Sequence, residues 1–336
     1  MGSRLRQLRL LKVTIVLAAI AGATVLVSAA LGSSFPGKNG KLVYAVDKFG
    51  KPAYLATAND SGSRVKQIST PGKKQQGDLE PRFSADGTKV VFVRNPQQYG
   101  YNGLELWIAN ANGTGEHQVK VKGLPKGGYP NGPTFTPNGK KIVFSIDTIN
   151  SPLGLAEVSV SGGKATQITH GDDAQPTVSP NGKKLAFFRG FTLTVANIDG
   201  SNPTSLYTMP DDTASSVDEP DFSPDGSTIA FMELSKSSGL WDIWTIAADG
   251  SDNGTATNLT NGTTTSSMDP AYSPDGTKIA FTSEADSPYG PSQTSIDVMP
   301  ASGGSPKAVV NGPKGGIVSS PDWGVAPPHH KHHHKK

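Results

Sequence analysis

The sequence contains no cysteine, so neither a disulfide framework nor thiol chemistry is open to it. Histidine is almost missing from its body. Only His117 and His170 lie outside the C-terminal tail, and neither has a Ser/Asp constellation that the sequence identifies. No G-x-S-x-G nucleophile elbow and no H-E-x-x-H zinc pair occurs. Charged residues make up 18% of the chain, a low share that still suits a β-rich folded protein. Helical periodicity is lacking beyond the N-terminal segment, which excludes a helical solenoid.

What the chain has instead is glycine (39), proline (26) and a repeated phrase. Pro220–Phe231 (PDFSPDGSTIAF) is a short apolar run, a Pro-Asp-Gly turn and a second apolar run. The same pattern begins at Pro81, Pro133, Pro176 and Pro270 without a gap, with Asn138 and Asn181 replacing the turn Asp in two copies. Proline pre-sets φ for the turn, Asp or Asn bonds its own backbone, and glycine takes positive φ without a steric cost. The flanking runs are apolar and β-favouring, as strands covered on both faces require.

Each hairpin is followed by a third strand (Leu104–Asn110, Asp242–Ala247), a turn and a fourth (near His117–Val121, Thr255–Thr260). Four strands recurring roughly every 43 to 52 residues between Gly87, Gly139, Gly182, Gly226 and Gly276 is the period of a propeller blade. The first unit starts in mid-repeat, at Asn39-Gly40-Lys41-Leu42-Val43-Tyr44, and its missing strand appears as Ser320-Pro321-Asp322-Trp323-Gly324. A C-terminal strand completing the N-terminal blade leaves no open edge at the seam. The fold expected is all-β, a six-bladed propeller over 41–325 whose closing blade is split between the two ends.

The repeat resembles the Pro-Asp-Gly class of WD-like repeats in the propeller domain of the TolB family, over roughly 37–325. The resemblance implies a propeller and an envelope protein that engages other proteins. Similar blades occur in prolyl-oligopeptidase-type peptidases, so the repeat names a fold more surely than a job. The α/β domain that precedes the TolB propeller and contacts its inner-membrane partner is not expected here, because the apolar segment leads into the first unit within a few residues, and the peptidases' serine elbow is not found.

Residues 1–12 carry Arg4, Arg6, Arg9 and Lys12 with no acid, and 13–32 are uncharged and mostly apolar. Residues 1–32 therefore read as a signal peptide or an uncleaved signal anchor, a hydrophobic helix ahead of the sheets. Residues 33–40 read as a linker. Export places the body outside the cytoplasm, periplasmic or at the cell surface, with a membrane contact through 13–32 if they are retained. The formal charge of +3 comes from the two ends. Setting aside the N-terminal bases and Lys331, Lys335 and Lys336 leaves more acids than bases, and no clustered basic face is visible, so nucleic acid is not expected. A monomer is expected.

In a propeller the first strand of each blade lines the central channel. The residues before the repeat prolines are Glu80, Gly132, Gln175, Glu219, Asp269 and Ser320, and they are expected near one mouth. Glu80, Gln175, Glu219 and Asp269 are the binding candidates there. The three carboxylates among them, with Asp78, Asp173 and Asp218 nearby, would receive a basic segment of a partner or a cation such as calcium. The alternative is that they bond neighbouring strands. Asp249–Gly254 has a calcium-loop composition without EF-hand spacing and reads as a turn. Trp107, Trp241 and Trp244 read as blade packing. The tail 326–336 is low-complexity; His329, His330, His332, His333 and His334 would bind a divalent metal loosely.

The function expected is a non-catalytic, extracytoplasmic protein-binding scaffold with no cofactor, its partner another envelope or secreted protein. The alternatives are an enzyme acting on carbohydrate or peptide, or a ligand or cation sensor, at the channel mouth.

Overall fold

A computed structural model describes residues 34–327 except 74, 98–102, 211–213, 262–263 and 286–292. The N-terminal hydrophobic helix and the tail histidines expected from the sequence lie outside the described residues.

The repeat folds from its turn outward. Gly226 N donates to Ser223 O at 2.8 Å, with Gly226 at φ 75°. Asp225 Oδ1 accepts from Ser223 Oγ at 2.6 Å and from Ser227 N at 2.9 Å. These bonds hold its carboxyl below the usual range. An amide oxygen accepts equally well. Asn138 Oδ1 takes the Thr136 hydroxyl and Asn181 Oδ1 the Ser179 hydroxyl, both at 2.9 Å.

From each turn a four-stranded antiparallel sheet is laid down. One runs Ala214–Phe222, Thr228–Ser235, Trp241–Ala247 and Thr257–Asn258, in chain order. Those opening at Tyr129–Phe135, Asp173–Val178 and Thr265–Tyr272 share this plan. The sheet opening at Gly77–Phe83 is joined to its predecessor by a single parallel bridge, Ala53 to Gly77. That predecessor draws on both ends of the chain. Gly316–Val325 pairs antiparallel with Asn39–Lys48, setting Leu42 opposite Trp323 and Val43 opposite Asp322. Lys51–Asn59 and Lys66–Gln67 follow.

The first strands pack in a cycle. Gly77–Phe83 lies on Tyr129–Phe135, that on Asp173–Val178, then Ala214–Phe222, Thr265–Tyr272, Gly316–Val325 and back to Gly77–Phe83. The apolar residues of the repeat lie between adjacent sheets. Phe222, Ile229 and Phe231 of one sheet pack on Phe188, Leu193 and Tyr207 of the sheet before it, with Phe231 tilted onto the Tyr207 ring at 5.1 Å. Each fully buried side chain of this size contributes roughly 1.5–3 kcal/mol of transfer free energy. The hydrophobic effect therefore ties each sheet to its neighbour and leaves the axis, where first strands meet, to polar residues.

Residues 34–38, expected as linker, are docked. The Ser34 hydroxyl donates to Tyr272 O at 2.6 Å, and Gly37 N to Pro274 O at 3.0 Å. Ser34 and Phe35 are buried.

Candidate functional site: a sealed acidic axis

A proline inside a strand cannot donate to the ladder and is accommodated at a bulge. The repeat proline does this in each first strand. The register shifts between Leu79 and Arg82, Ala174 and Thr177, Asp218 and Asp221, and Met268 and Ala271. The residue before the proline takes left-handed φ: Glu80 54°, Gln175 56°, Glu219 60°, Asp269 56°, Ser320 55° and Gly132 56°. A side chain in this conformation costs on the order of 1–3 kcal/mol. Only one of the six copies relieves that cost with glycine.

The bulge decides where these side chains go. Glu80 is 4% exposed, Asp269 3% and Glu219 0%, and Gln175 is half-buried. They lie in mid-strand, inside the axis, rather than at the open mouth expected from the repeat. Glu80 Oε2 accepts from Gly132 N of the next first strand at 2.9 Å. Asp269 Oδ2 accepts from the Thr282 hydroxyl at 2.7 Å and Ser320 N at 3.0 Å. Two of the candidates therefore bond neighbouring strands. Glu219 does not: neither of its carboxylate oxygens has a hydrogen-bond partner.

Facing it is a residue the repeat did not single out. Arg82, 1% exposed, follows the proline of the sheet opening at Gly77, which is not a neighbour of the Glu219 strand in the cycle. Its guanidinium reaches across, with Nη2 3.9 Å from Glu219 Oε2 and Nη1 donating to Pro81 O at 2.6 Å. Its Nε has no acceptor. The same position holds Thr134, Thr177, Asp221, Ala271 and Asp322 in the other copies. Asp221 and Asp322 latch adjacent sheets, accepting from Tyr272 N at 2.7 Å and Phe83 N at 2.6 Å.

Burial in this axis pushes Glu80 up to about 8 and Asp221 to about 7, and raises Glu219 well above the carboxylate range. Desolvation is the leading cause in each case. Asp147 and Asp269 add to it for Glu80, and Asp269 and Asp218 for Glu219, while Arg82 opposes it in all three. The outer acids have partners of their own. Arg94 holds Asp78 through two bonds at 2.5 and 2.8 Å and stacks on Trp107, and Arg189 holds Asp173 at 2.7 and 2.9 Å. They do not add free charge to a mouth.

The axial acids bind protons more tightly folded than unfolded. Between about pH 5 and 8 the native chain carries the extra protons, so its stability falls as pH rises through that window. Thermal unfolding is expected to show a higher Tm at pH 6 than at pH 8, and a Tm flat or rising toward pH 8 would refute the axial assignment.

Among the described residues, no group of three or more His, Asp or Glu side chains is disposed to hold a metal. Asp249, in the loop of calcium-like composition, accepts from Ser251 N at 2.9 Å within its own turn. His117 is exposed, with Nδ1 2.7 Å from Gly115 O. Trp107 Nε1 donates to Glu105 at 3.0 Å. The two cavities of note, about 320 and 550 Å³, are grooves between sheets beside the turns, lined by residues such as Lys41 and Thr88, and Asn138 and Asn181.

No family model and no curated protein sequence matches the chain. Solved structures do. TolB from Acinetobacter baumannii matches over 87% of this chain and 68% of its own, at 18% identity and TM-score 0.65. A TolB-type protein from Agrobacterium tumefaciens matches over 85% and 99%, at 20% identity and TM-score 0.60. An oligogalacturonate lyase in complex with manganese matches over 84% and 78%, at 17% identity and TM-score 0.52. The fold is that of a TolB-like β-propeller.

Proposed function

We propose that this chain is a six-bladed propeller closed by its C-terminal strand, and that it works as a non-catalytic scaffold binding another protein outside the cytoplasm. The binding face is the one that carries the loops between second and third strands. One observation carries this reading: of the four large apolar residues exposed among the described ones, Phe49 (76%), Ile149 (64%) and Phe191 sit on loops of that kind, and Val65 alone sits on the opposite face. In a sheet whose strands alternate in direction, such loops share one end, opposite the Pro-Asp-Gly turns. The three belong to different sheets of the cycle, so they bias contact toward this face rather than form one patch.

The buried acids support a structural role for the axis. General acid–base chemistry needs a group within reach of a substrate proton. Glu80, Glu219 and Asp269 are covered. Action on a carbohydrate, as the oligogalacturonate lyase fold neighbour suggests, would need the axis opened.

The test is capture from native envelope extract by the wild-type chain and by a Phe49→Ala/Ile149→Ala variant. Both substitutions are at exposed positions, where stability changes stay within about 0.5 kcal/mol. A specific protein retained by the wild type and lost by the variant is expected. Equal retention by both would remove the loop face from the reading, and turnover of an oligogalacturonate would replace the scaffold by an enzyme.

A further inference from the structure

The opposite face has its own chemistry. Successive Pro-Asp-Gly turns touch one another there. A Cβ on Gly182 would lie 3.4 Å from Pro137, one on Gly226 3.7 Å from Pro180, and one on Gly276 3.8 Å from Pro224. Lysine follows the turn glycine in nearly every copy: Lys41, Lys89, Lys140 and Lys141, Lys183 and Lys184, and Lys278, all exposed. The turn acids Asp86, Asp225 and Asp275 accept bonds within their own turns, which keep them ionised, so they offset the charge of the turns that carry them. Where Asn138 and Asn181 replace them, four lysines stand beside turns that carry no acid. Glu157, paired with Lys141, and the exposed Asp199 are the anions lining the groove between those two turns.

Both ends of the described chain also leave from this face. Ser34 is fixed beside Asp221 and Tyr272, and Asn39 is bonded to the turn residue Asp275 at 2.8 Å. Val325 and Pro327 line a groove with Lys41 and Gly87. Upstream of Ser34 the sequence is the uncharged stretch 13–32 preceded by Arg4, Arg6, Arg9 and Lys12. Downstream of Pro327 it ends in Lys331, Lys335 and Lys336.

We propose that the turn face lies against an anionic phospholipid surface, held by the lysines that follow the turn glycines. A face that carries a run of exposed ammonium groups along successive turns suits a sheet of headgroup phosphates. Each lysine held near such a surface is worth about 1 kcal/mol and is screened by salt within a Debye length. The arc from Lys41 to Lys184 makes the contact. The unit opening at Ala214 has Ser227 and Thr228 at the lysine positions and exposed Asp249 and Asp252, so the propeller tilts away on that side. The inference rests on the turns and their charges and is independent of which protein the loop face binds.

The absence of native cysteine makes the test direct, since single cysteines can be labelled without background. The full chain is reconstituted into vesicles containing nitroxide-headgroup lipid, with an environment-sensitive dye on Ser161→Cys or on Asn150→Cys. These residues lie just beyond opposite ends of the strand Leu155–Ser159, on the turn face and the loop face respectively. In vesicles of phosphatidylcholine with phosphatidylglycerol, the dye at 161 is expected to be quenched and the dye at 150 to keep its fluorescence. High salt, or the variant K140E/K141E/K183E/K184E, should abolish the quench at 161. Equal quenching at both positions would overturn the orientation. Quenching at 161 that persists in pure phosphatidylcholine, or in the four-lysine variant, would overturn the role of the lysines. Binding of a soluble polyanion through the same lysines, with no quenching on vesicles, would assign the face to that polyanion and sink the lipid proposal.

Discussion

Replacing Arg82 by methionine is expected to destabilise the fold by about 3–5 kcal/mol near neutral pH, the usual cost of removing one partner from a buried charged set. The guanidinium is 1% exposed and lowers the proton affinity of Glu80, Glu219, Asp221 and Asp322 together. Without it each of those carboxyls would bind its proton more tightly still, and ionising any of them in the folded state would cost more. The loss should therefore shrink as pH falls toward 5, where the acids are protonated in either variant. Glu219→Gln should behave in the opposite way. Its carboxyl oxygens accept no hydrogen bond, so a neutral amide loses no bond there and removes the cost of ionising the group as pH rises; the change is expected to be neutral at pH 5 and neutral or stabilising at pH 8. Combining E219Q with R82M should recover part of the loss, since the two side chains face each other and couple. Denaturant unfolding at pH 5 and pH 8 checks all three variants, and a pH-independent effect of R82M would contradict the axial network.

The second large effect is expected at the seam. Trp323→Ala should cost about 3–5 kcal/mol, as for other buried large-to-small changes, through two losses at once. Trp323 is 2% exposed and lies opposite Leu42, packed with Tyr44 and Val318 and with Ala280 and Val310 of the neighbouring sheet. It also follows Asp322, whose carboxylate accepts from Phe83 N and so fastens the closing strand to the next sheet. Phe231→Ala opens a cavity of similar cost between two sheets that are covalently continuous. Hydrogen exchange separates the two. Amides of Asn39–Lys48, which pair with the closing strand, should lose protection in W323A and keep it in F231A. Unchanged protection there in W323A would mean that the C-terminal strand does not hold the seam.

The repeat made the sheets legible because turn chemistry, apolar runs and spacing all agree, copy after copy. The split unit was legible for the same reason: Asn39–Tyr44 and Ser320–Gly324 are two halves of one phrase. The residues before the repeat prolines were picked out by alignment of the copies, but their surroundings were not. A left-handed φ before proline follows from the bulge, and the bulge follows from pairing that a single repeat does not display. Arg82 breaks a pattern, standing where other copies have Thr, Ala or Asp, but a single exception carries no signal of the buried acids it faces. The basic face is not legible along the chain, where Lys140, Lys141, Lys183 and Lys184 are diluted by distant acids. Only the cycle of sheets brings those turns side by side. The docking of Ser34 on Tyr272 and Asp221 joins residues too far apart in the chain for any local signal to announce it.

The two faces of the propeller are assigned different partners, protein on the loops and lipid on the turns. A photo-reactive side chain placed at Phe49 or at Ser161 in the full chain, irradiated in native envelopes, tests that division most directly. A discrete protein adduct from position 49, with none from position 161, is the result the account predicts. Adducts of equal yield from both positions, or a protein captured from 161 alone, would contradict it.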